Sequence, residues 1–456
     1  MGHILIGLPE IRHFHLLSRV ARKLMTREHR VSVLTSDPIA FEFFCHQGLS
    51  CRDLRPGTAA PHQSIPLAKF AEIDCRLAGI SSPTKRQVRR QSERLGGLVN
   101  GLLRTFDADS PSIVLLHEAR GGAHRMLHYV AQQCGTQVIY TGPGLLPGTM
   151  QVDMEGIDGD ASYADGSARD YRRASADEEF LAAATAAWLG RAYPPALART
   201  GIAVPPLLNR VLAAFRSCWR GQWTSGLRGT RAWEGARETW PHREQQRQLP
   251  SAPYGVVLLQ DPADPRLRLD APAAPTHETL ISASADAIRQ LDSDAQTLVI
   301  TPGTSTSPSS RNRWPEDVQF LPASAGALAV ATASVVISVN HPLGIAGILT
   351  GTPVLHMGRT PYGVERVSQH TAVQRIAADL ARAVEEEHPA LRRRFLTKML
   401  RDFHTWCPPS EPDSNGVAGL IQRMEQWMGC PPRKHRPLRY RPGPVWPLAV
   451  PTQGKS

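Results

Sequence analysis

No run of about eighteen apolar residues occurs in this 456-residue chain, which argues against a transmembrane helix. The N-terminus lacks a basic stretch followed by an apolar one. A strand-like run, His3 to Leu8, begins at once, so a cytoplasmic protein without a signal peptide is expected. Cysteine is sparse: seven residues, at 45, 51, 75, 134, 218, 407 and 430, with none in CxxC spacing. An odd, scattered set predicts thiols in a reducing compartment and argues against a structural zinc site. Aromatic residues make up only 6%. No zinc-finger, aromatic-rich RNA-binding or helix-turn-helix pattern accompanies the basic charge, so no nucleic acid partner is expected.

What is abundant is Gly (36), Pro (38) and positive charge, with a formal net charge of +11. Arg433, Lys434, Arg436, Arg439, Arg441 and Lys455 follow residue 430 with no acidic neighbour. Such an excess suits an anionic lipid surface or a polyanionic glycan, and a genome that favours Arg accounts for it equally well. The length predicts two domains with appendages, and 41% hydrophobic with 20% charged residues describes a globular chain.

Strands alternate with helices. His3–Leu8 is followed by helical spacing at Phe14, Leu16, Leu17, Val20, Ala21 and Leu24, then by a second strand, Arg30–Thr35. Residues 67–106 read as one or two amphipathic helices, Ser112–Leu116 as a strand, 123–134 as a helix and 137–141 as a strand. Residues 142–170 break the alternation and read as a loop. About 180–248 reads as helical without strand signal. A new strand, Gly255–Gln260, opens a second series that includes strands at 297–301, 317–321 and 354–358. The alternation predicts parallel sheets in an α/β fold of two Rossmann-like domains facing a cleft. The expected division is 1–175, a helical insertion at 176–250, a second domain at 251–406, and a Pro-rich basic tail at 407–456, disordered from 431.

The most informative stretch runs from Ser338 to Leu355: an apolar strand, a polar turn at Asn340 and His341, then a short helix ending at Gly351. A strand, tight loop and helix start is how α/β domains offer backbone N–H groups to phosphate, although an ordinary βαβ unit has the same outline.

Three segments resemble the capsule polysaccharide biosynthesis family. They are Tyr140 to Asp160, Leu258 to Asp264 with its strand ending in Gln260 and Asp264 four residues on, and Asn340 to Leu355 continued by Gly358 to Tyr362. The resemblance spans roughly residues 1–400 and implies a GT-B type glycosyltransferase similar to retaining β-Kdo transferases. Such an enzyme takes CMP-Kdo as donor substrate, acts on a glycan or lipid-linked acceptor, and needs no metal or other cofactor. Capsule assembly proteins are the further partners it implies, and the basic tail and Arg-rich helices suit a peripheral position at an anionic membrane face. Two family motifs are replaced: its acidic triplet by Gly142 and Pro143, and its Lys-Pro-His-Pro by Thr301-Pro302-Gly303-Thr304. A UDP- or dTDP-sugar transferase and a non-catalytic scaffold are the alternatives.

Candidate residues follow. Asp153, Glu155, Asp158 and Asp160 are the candidate catalytic carboxylates, which can stabilise or trap an oxocarbenium-like sugar; a solvated acidic turn has the same spacing. Gln260, Asp264, Thr304, Asn340, His341, Gly344, Arg359 and Tyr362 are candidates for the nucleotide. Of these, His341 either contacts ligand or caps its helix, and Gln260 and Asp264 either contact ligand or satisfy loop backbone. His13, His117 and Glu118 lie on the acceptor side, with a salt link from Glu118 to Arg120 or Arg125 as the structural alternative.

Overall fold

Period-two burial builds both sheets. In β1 (His3–Gly7), Ile4 and Ile6 enter one core and Leu5 the opposite one. In β4 (Ile113–His117), Ile113 and Leu115 face the first of these and Val114 and Leu116 the second. A strand buried on both faces reads as a continuous apolar run, which is why these two stood out in the sequence. The same holds for β7 (Tyr254–Leu258) and β10 (Val335–Ser338): Val256, Leu258 and Val336 face one core, Val257, Val335 and Ile337 the other. The computed structural model describes residues 2–54, 65–146, 148–164, 166–189, 249–302, 314–407 and 414–428.

The remaining strands of the first sheet are β2 (Arg30–Thr35), β3 (Ser50–Asp53), β5 (Gln137–Pro143), β6 (Thr149–Asp153) and β13 (His404–Trp406). The order is β13-β6-β5-β4-β1-β2-β3. The pairs from β3 to β5 are parallel, and β6 and β13 add on antiparallel. The second sheet adds β8 (Gln296–Thr301), β9 (Val318–Pro322), β11 (Val354–His356) and β12 (Gln369–His370). Its order is β12-β11-β10-β7-β8-β9, parallel throughout. Each sheet reverses its winding between its first and fourth strands, β1/β4 and β7/β10. Ligands of open α/β sheets bind at the carboxyl ends of such a pair.

Two segments differ from the sequence reading. The stretch 142–170 is not only loop: β5 runs on to Pro143, and β6 returns antiparallel to it. Of the expected tail from 407, Cys407 and residues 414–428 lie against the first sheet and not beyond the second domain. The helix Pro389–Phe403 delivers β13 to the first sheet, where His404 pairs with Gln151. The helix Ser414–Met428 then packs Val417, Leu420, Ile421 and Met424 into the core of the first sheet. Gly148, at φ +76°, makes this joint possible, since a Cβ there would lie 2.1 Å from the Trp406 ring. Of the expected insertion, the helix Glu178–Leu189 is described; 190–248, the tail from 429, and Thr304 lie outside the described residues.

The two halves share core. Leu145, Leu146, Tyr163 and Tyr171 from the first cluster with Val256, Ile345 and Phe395 from the second. Among the described residues, no helix is long and apolar enough to cross a membrane.

Candidate active site

The loops that leave β1 and β4 carry the acceptor-side candidates. His13 ends a short 3-10 turn (Ile11–His13) and is buried, as is His117 at the last position of β4. Glu118 follows directly, with backbone in the left-handed region (φ 47°), a conformation that a non-glycine residue holds only where its surroundings impose it. His13 Nε2 lies 3.2 Å from Glu118 Oε1, and Arg12 Nη2 lies 2.8 Å from Glu118 Oε2. The salt link of Glu118 is therefore to Arg12 and His13, not to Arg120 or Arg125. Burial would raise the Glu118 carboxyl, but the hydrogen bond from His13 and the charge of Arg12 hold it well below the ordinary carboxylate range. His117 crosses His13 edge-on at 4.3 Å and bonds Thr141 Oγ1 through Nδ1 at 2.9 Å. Burial and the neighbouring His13 push its imidazole well below its ordinary value, so it is neutral at pH 7.

With Nε2–H donating to Glu118, His13 carries its lone pair on Nδ1. That atom is buried and has no hydrogen-bond partner among the described residues. An imidazole oriented by a carboxylate, with its other nitrogen unengaged, has the parts of a general base. Ligand atoms of His13, His117 and Glu118 also lie within 4.8 Å of one another, close enough for a metal ion. The Arg12 guanidinium on the same carboxylate opposes a second cation there, so the charge pattern suits proton transfer better.

The four acidic candidates separate. Asp153, at the end of β6, is fully buried and holds the following loop together. Its Oδ1 accepts from the N–H groups of Glu155 (2.6 Å) and Gly156 (3.3 Å), and its Oδ2 from Ser162 N and Oγ (3.0 and 2.7 Å). Burial pushes it up to about 6. Glu155 is half-buried beside that turn. Asp158 and Asp160 are ion-paired between the two halves. Asp158 meets Arg120 of the first and, at 3.4 Å, Arg266 of the second. Asp160 meets Arg125 of the first and, at 2.8 Å, Arg359 of the second. Burial opposes ionisation of Asp160, but Arg125 and Arg359 outweigh it and hold the carboxyl below its ordinary range. Both carboxylates are thus engaged by arginines.

At the second switch point, Gln260 Oε1 accepts from Asn340 N (3.3 Å), and Gln260 Nε2 reaches Asp264 Oδ2 (3.4 Å). Asp264 caps the short helix Pro265–Asp270 by accepting from Arg266 N. Asn340 Nδ2 donates to the carbonyls of Arg266 (3.0 Å) and Arg359 (3.4 Å). The helix Gly344–Thr350 does not offer its first N–H groups outward. His341 Nδ1 accepts from Leu343 N at 3.1 Å, and the N–H groups of Gly344, Ile345 and Ala346 bond the carbonyls of His341, Pro342 and Leu343. The first N–H groups of this helix are thus spent within its own turn and are not free for a phosphate, and His341 caps. Burial and Arg266 push its imidazole down to about 4. Tyr362 is buried and donates to the His341 carbonyl at 2.7 Å.

Arg12, Arg120, Arg125, Arg266 and Asp270 complete the site and were not among the expected site residues. Their signal was positional: each follows a strand of a switch-point pair, on the loop or the first helix after it.

No family model matches the chain, and no curated protein matches it. Among solved structures, it is similar to the glycotransferase of kitacinnamycin at 16% identity, over 92% of this chain and 99% of that one, with a TM-score of 0.34. A spinosyn rhamnosyltransferase complexed with thymidine diphosphate matches at 12% identity, over 93% and 100%, with a TM-score of 0.35. KpsC of Thermosulfurimonas dismutans, a beta Kdo 2,4 transferase, matches at 13% identity, over 70% and 88%, with a TM-score of 0.35.

Proposed function

We propose that the chain transfers a sugar from a nucleotide-activated donor to an acceptor hydroxyl, with His13 as the base. His13 Nδ1 takes the hydroxyl proton, Glu118 stabilises the imidazolium that forms, and the oxygen attacks the anomeric carbon as the nucleotide leaves. The observation that carries the reading is the His13–Glu118 pair at the carboxyl ends of β1 and β4. CMP-Kdo is the donor that the sequence resemblance favours, and a glycan or lipid-linked acceptor follows from the same source. Exposed Arg86, Arg89, Arg90 and Arg94 on the helix Lys85–Asp109 support a position at an anionic membrane face, near such an acceptor.

Thermal shift with CMP, UDP and dTDP tests the donor. Stabilisation by CMP is expected; stabilisation by UDP alone overturns CMP-Kdo, and no effect from any of the three favours a scaffold. In a transfer assay on whichever sugar nucleotide stabilises the protein, His13→Ala should lower the rate by about 10²–10⁴ with the nucleotide shift retained. An unchanged rate removes His13 from the chemistry.

A further inference from the structure

Four guanidiniums converge between the halves: Arg120 and Arg125 from the first, Arg266 and Arg359 from the second. We propose that they form the seat for the phosphate or diphosphate of the donor, and that Asp158 and Asp160 occupy that seat until the donor displaces them. The inference rests on the nucleotide-sugar reading for the source of the anion.

The first argument is elimination. A nucleotide leaving group needs fixed donors for its phosphate, and the helix start at Gly344 has its N–H groups already engaged within its own turn. Among the described residues that line the facing halves, the arginines remain. Their planar forks match carboxylate and phosphate alike, so a carboxylate on such a fork stands where phosphate oxygens fit.

The second argument is that the carboxylates fit incompletely. Arg125 Nε and Arg266 Nε are buried without a hydrogen-bond partner among the described residues. Arg266 Nε stands 3.4 Å from Asp158 Oδ1 but makes no hydrogen bond to it. A carboxylate brings two oxygens, whereas a phosphate brings three and a diphosphate more, enough for the donors left over.

The third argument is that the acidic loop sits under repulsion. Gly159, between the two aspartates, packs against Asp270, where a Cβ would fall 2.8 Å from Oδ1. The negative charge of Asp160 is among the causes that, after burial, push the Asp270 carboxyl up to about 7. Asp158 itself holds a left-handed backbone, φ 52°. Like charge and strain both favour release of the loop once another anion can take the arginines.

Calorimetry on the full chain with inorganic pyrophosphate tests the seat without any sugar. Asp160→Asn should bind pyrophosphate about tenfold more tightly than the parent, because a competing anion is gone, and Arg359→Gln about tenfold more weakly. If Asp160→Asn melts cooperatively yet binds no more tightly, the proposal is overturned. Should that variant fail to fold, Arg359→Gln and Arg266→Gln decide: unchanged pyrophosphate affinity in both overturns it as well. A protein that shows the expected affinities but transfers no sugar keeps the anion seat and loses the glycosyltransferase reading.

Discussion

Gly344 carries a constraint that its sequence neighbours do not reveal. A Cβ there would fall 2.3 Å from the Tyr362 hydroxyl oxygen and 2.5 Å from its Cζ, and that hydroxyl holds the His341 carbonyl. Gly344→Ala must move the buried ring and release the turn that carries Asn340 and His341. Overpacking of this kind costs about 1–3 kcal/mol; a denaturant melt showing no loss would mean the ring can yield. As a nucleotide candidate Gly344 stands at a helix start that offers N–H groups; in the fold its lack of a side chain makes room for Tyr362. His13, Glu118 and Asn340 were legible because a polar residue after an apolar strand points to the carboxyl end of a sheet. Arg12, Arg120, Arg125 and Arg266 were not, because in a chain with 52 Lys and Arg an arginine shows its partner only once the fold brings distant loops together. Asp153 was grouped with Asp158 and Asp160 by spacing alone. Its place at the end of β6 turns it inward to backbone N–H groups, and five residues later the loop has reached the other half.

At the scale of elements, the parallel strands were readable because burial on both faces leaves an apolar run in the chain. The antiparallel additions were not. Thr149–Asp153 and His404–Trp406 each carry a weak local signal; the first folds back on β5 as a hairpin, and the two pair with each other across some 250 residues of chain, a contact no local pattern records. The helix Ser414–Met428 does show i, i+3, i+4, i+7 spacing at Val417, Leu420, Ile421 and Met424, but prolines flank it on both sides in the sequence and obscure that signal. Its packing makes it part of the first domain. Leu420→Ala should therefore cost about 2–5 kcal/mol in the unfolding of that domain. A surface helix would lose less than about 0.5 kcal/mol, so chemical denaturation separates the two outcomes.

At the scale of the whole molecule, buried neutral histidines and buried acids pull the pH dependence in opposite directions. Burial pushes His117 well below its ordinary value, His341 and His404 to about 4, and His356 to about 3. Unfolded, each binds a proton near pH 6.5, so between about pH 6.5 and 4 the unfolded chain holds more protons and stability falls on acidification. Asp153 and Asp270 act the other way, because burial pushes their carboxyls up to about 6 and 7. The folded form then binds the extra proton, and stability that is missing at neutral pH returns as the pH falls. From pH 7 to 5, the loss is at most roughly 2 kcal/mol for each of His341, His356 and His404, with His117 acting in the same direction, and the two acids together return roughly 3–4 kcal/mol. The histidines win, so the melting temperature should drop between pH 7 and 5. Asp270→Asn removes one opposing group, so this variant should be more stable than the parent at pH 8, where the native carboxyl has to ionise. It should lose that advantage by pH 5 and show a steeper drop across the interval. Thermal melts of both proteins at matched ionic strength check this. Parallel pH profiles would mean that Asp270 ionises as easily in the folded chain as in the unfolded one, and that the crowding of Asp160 and Asp270 between the two halves is not felt as charge.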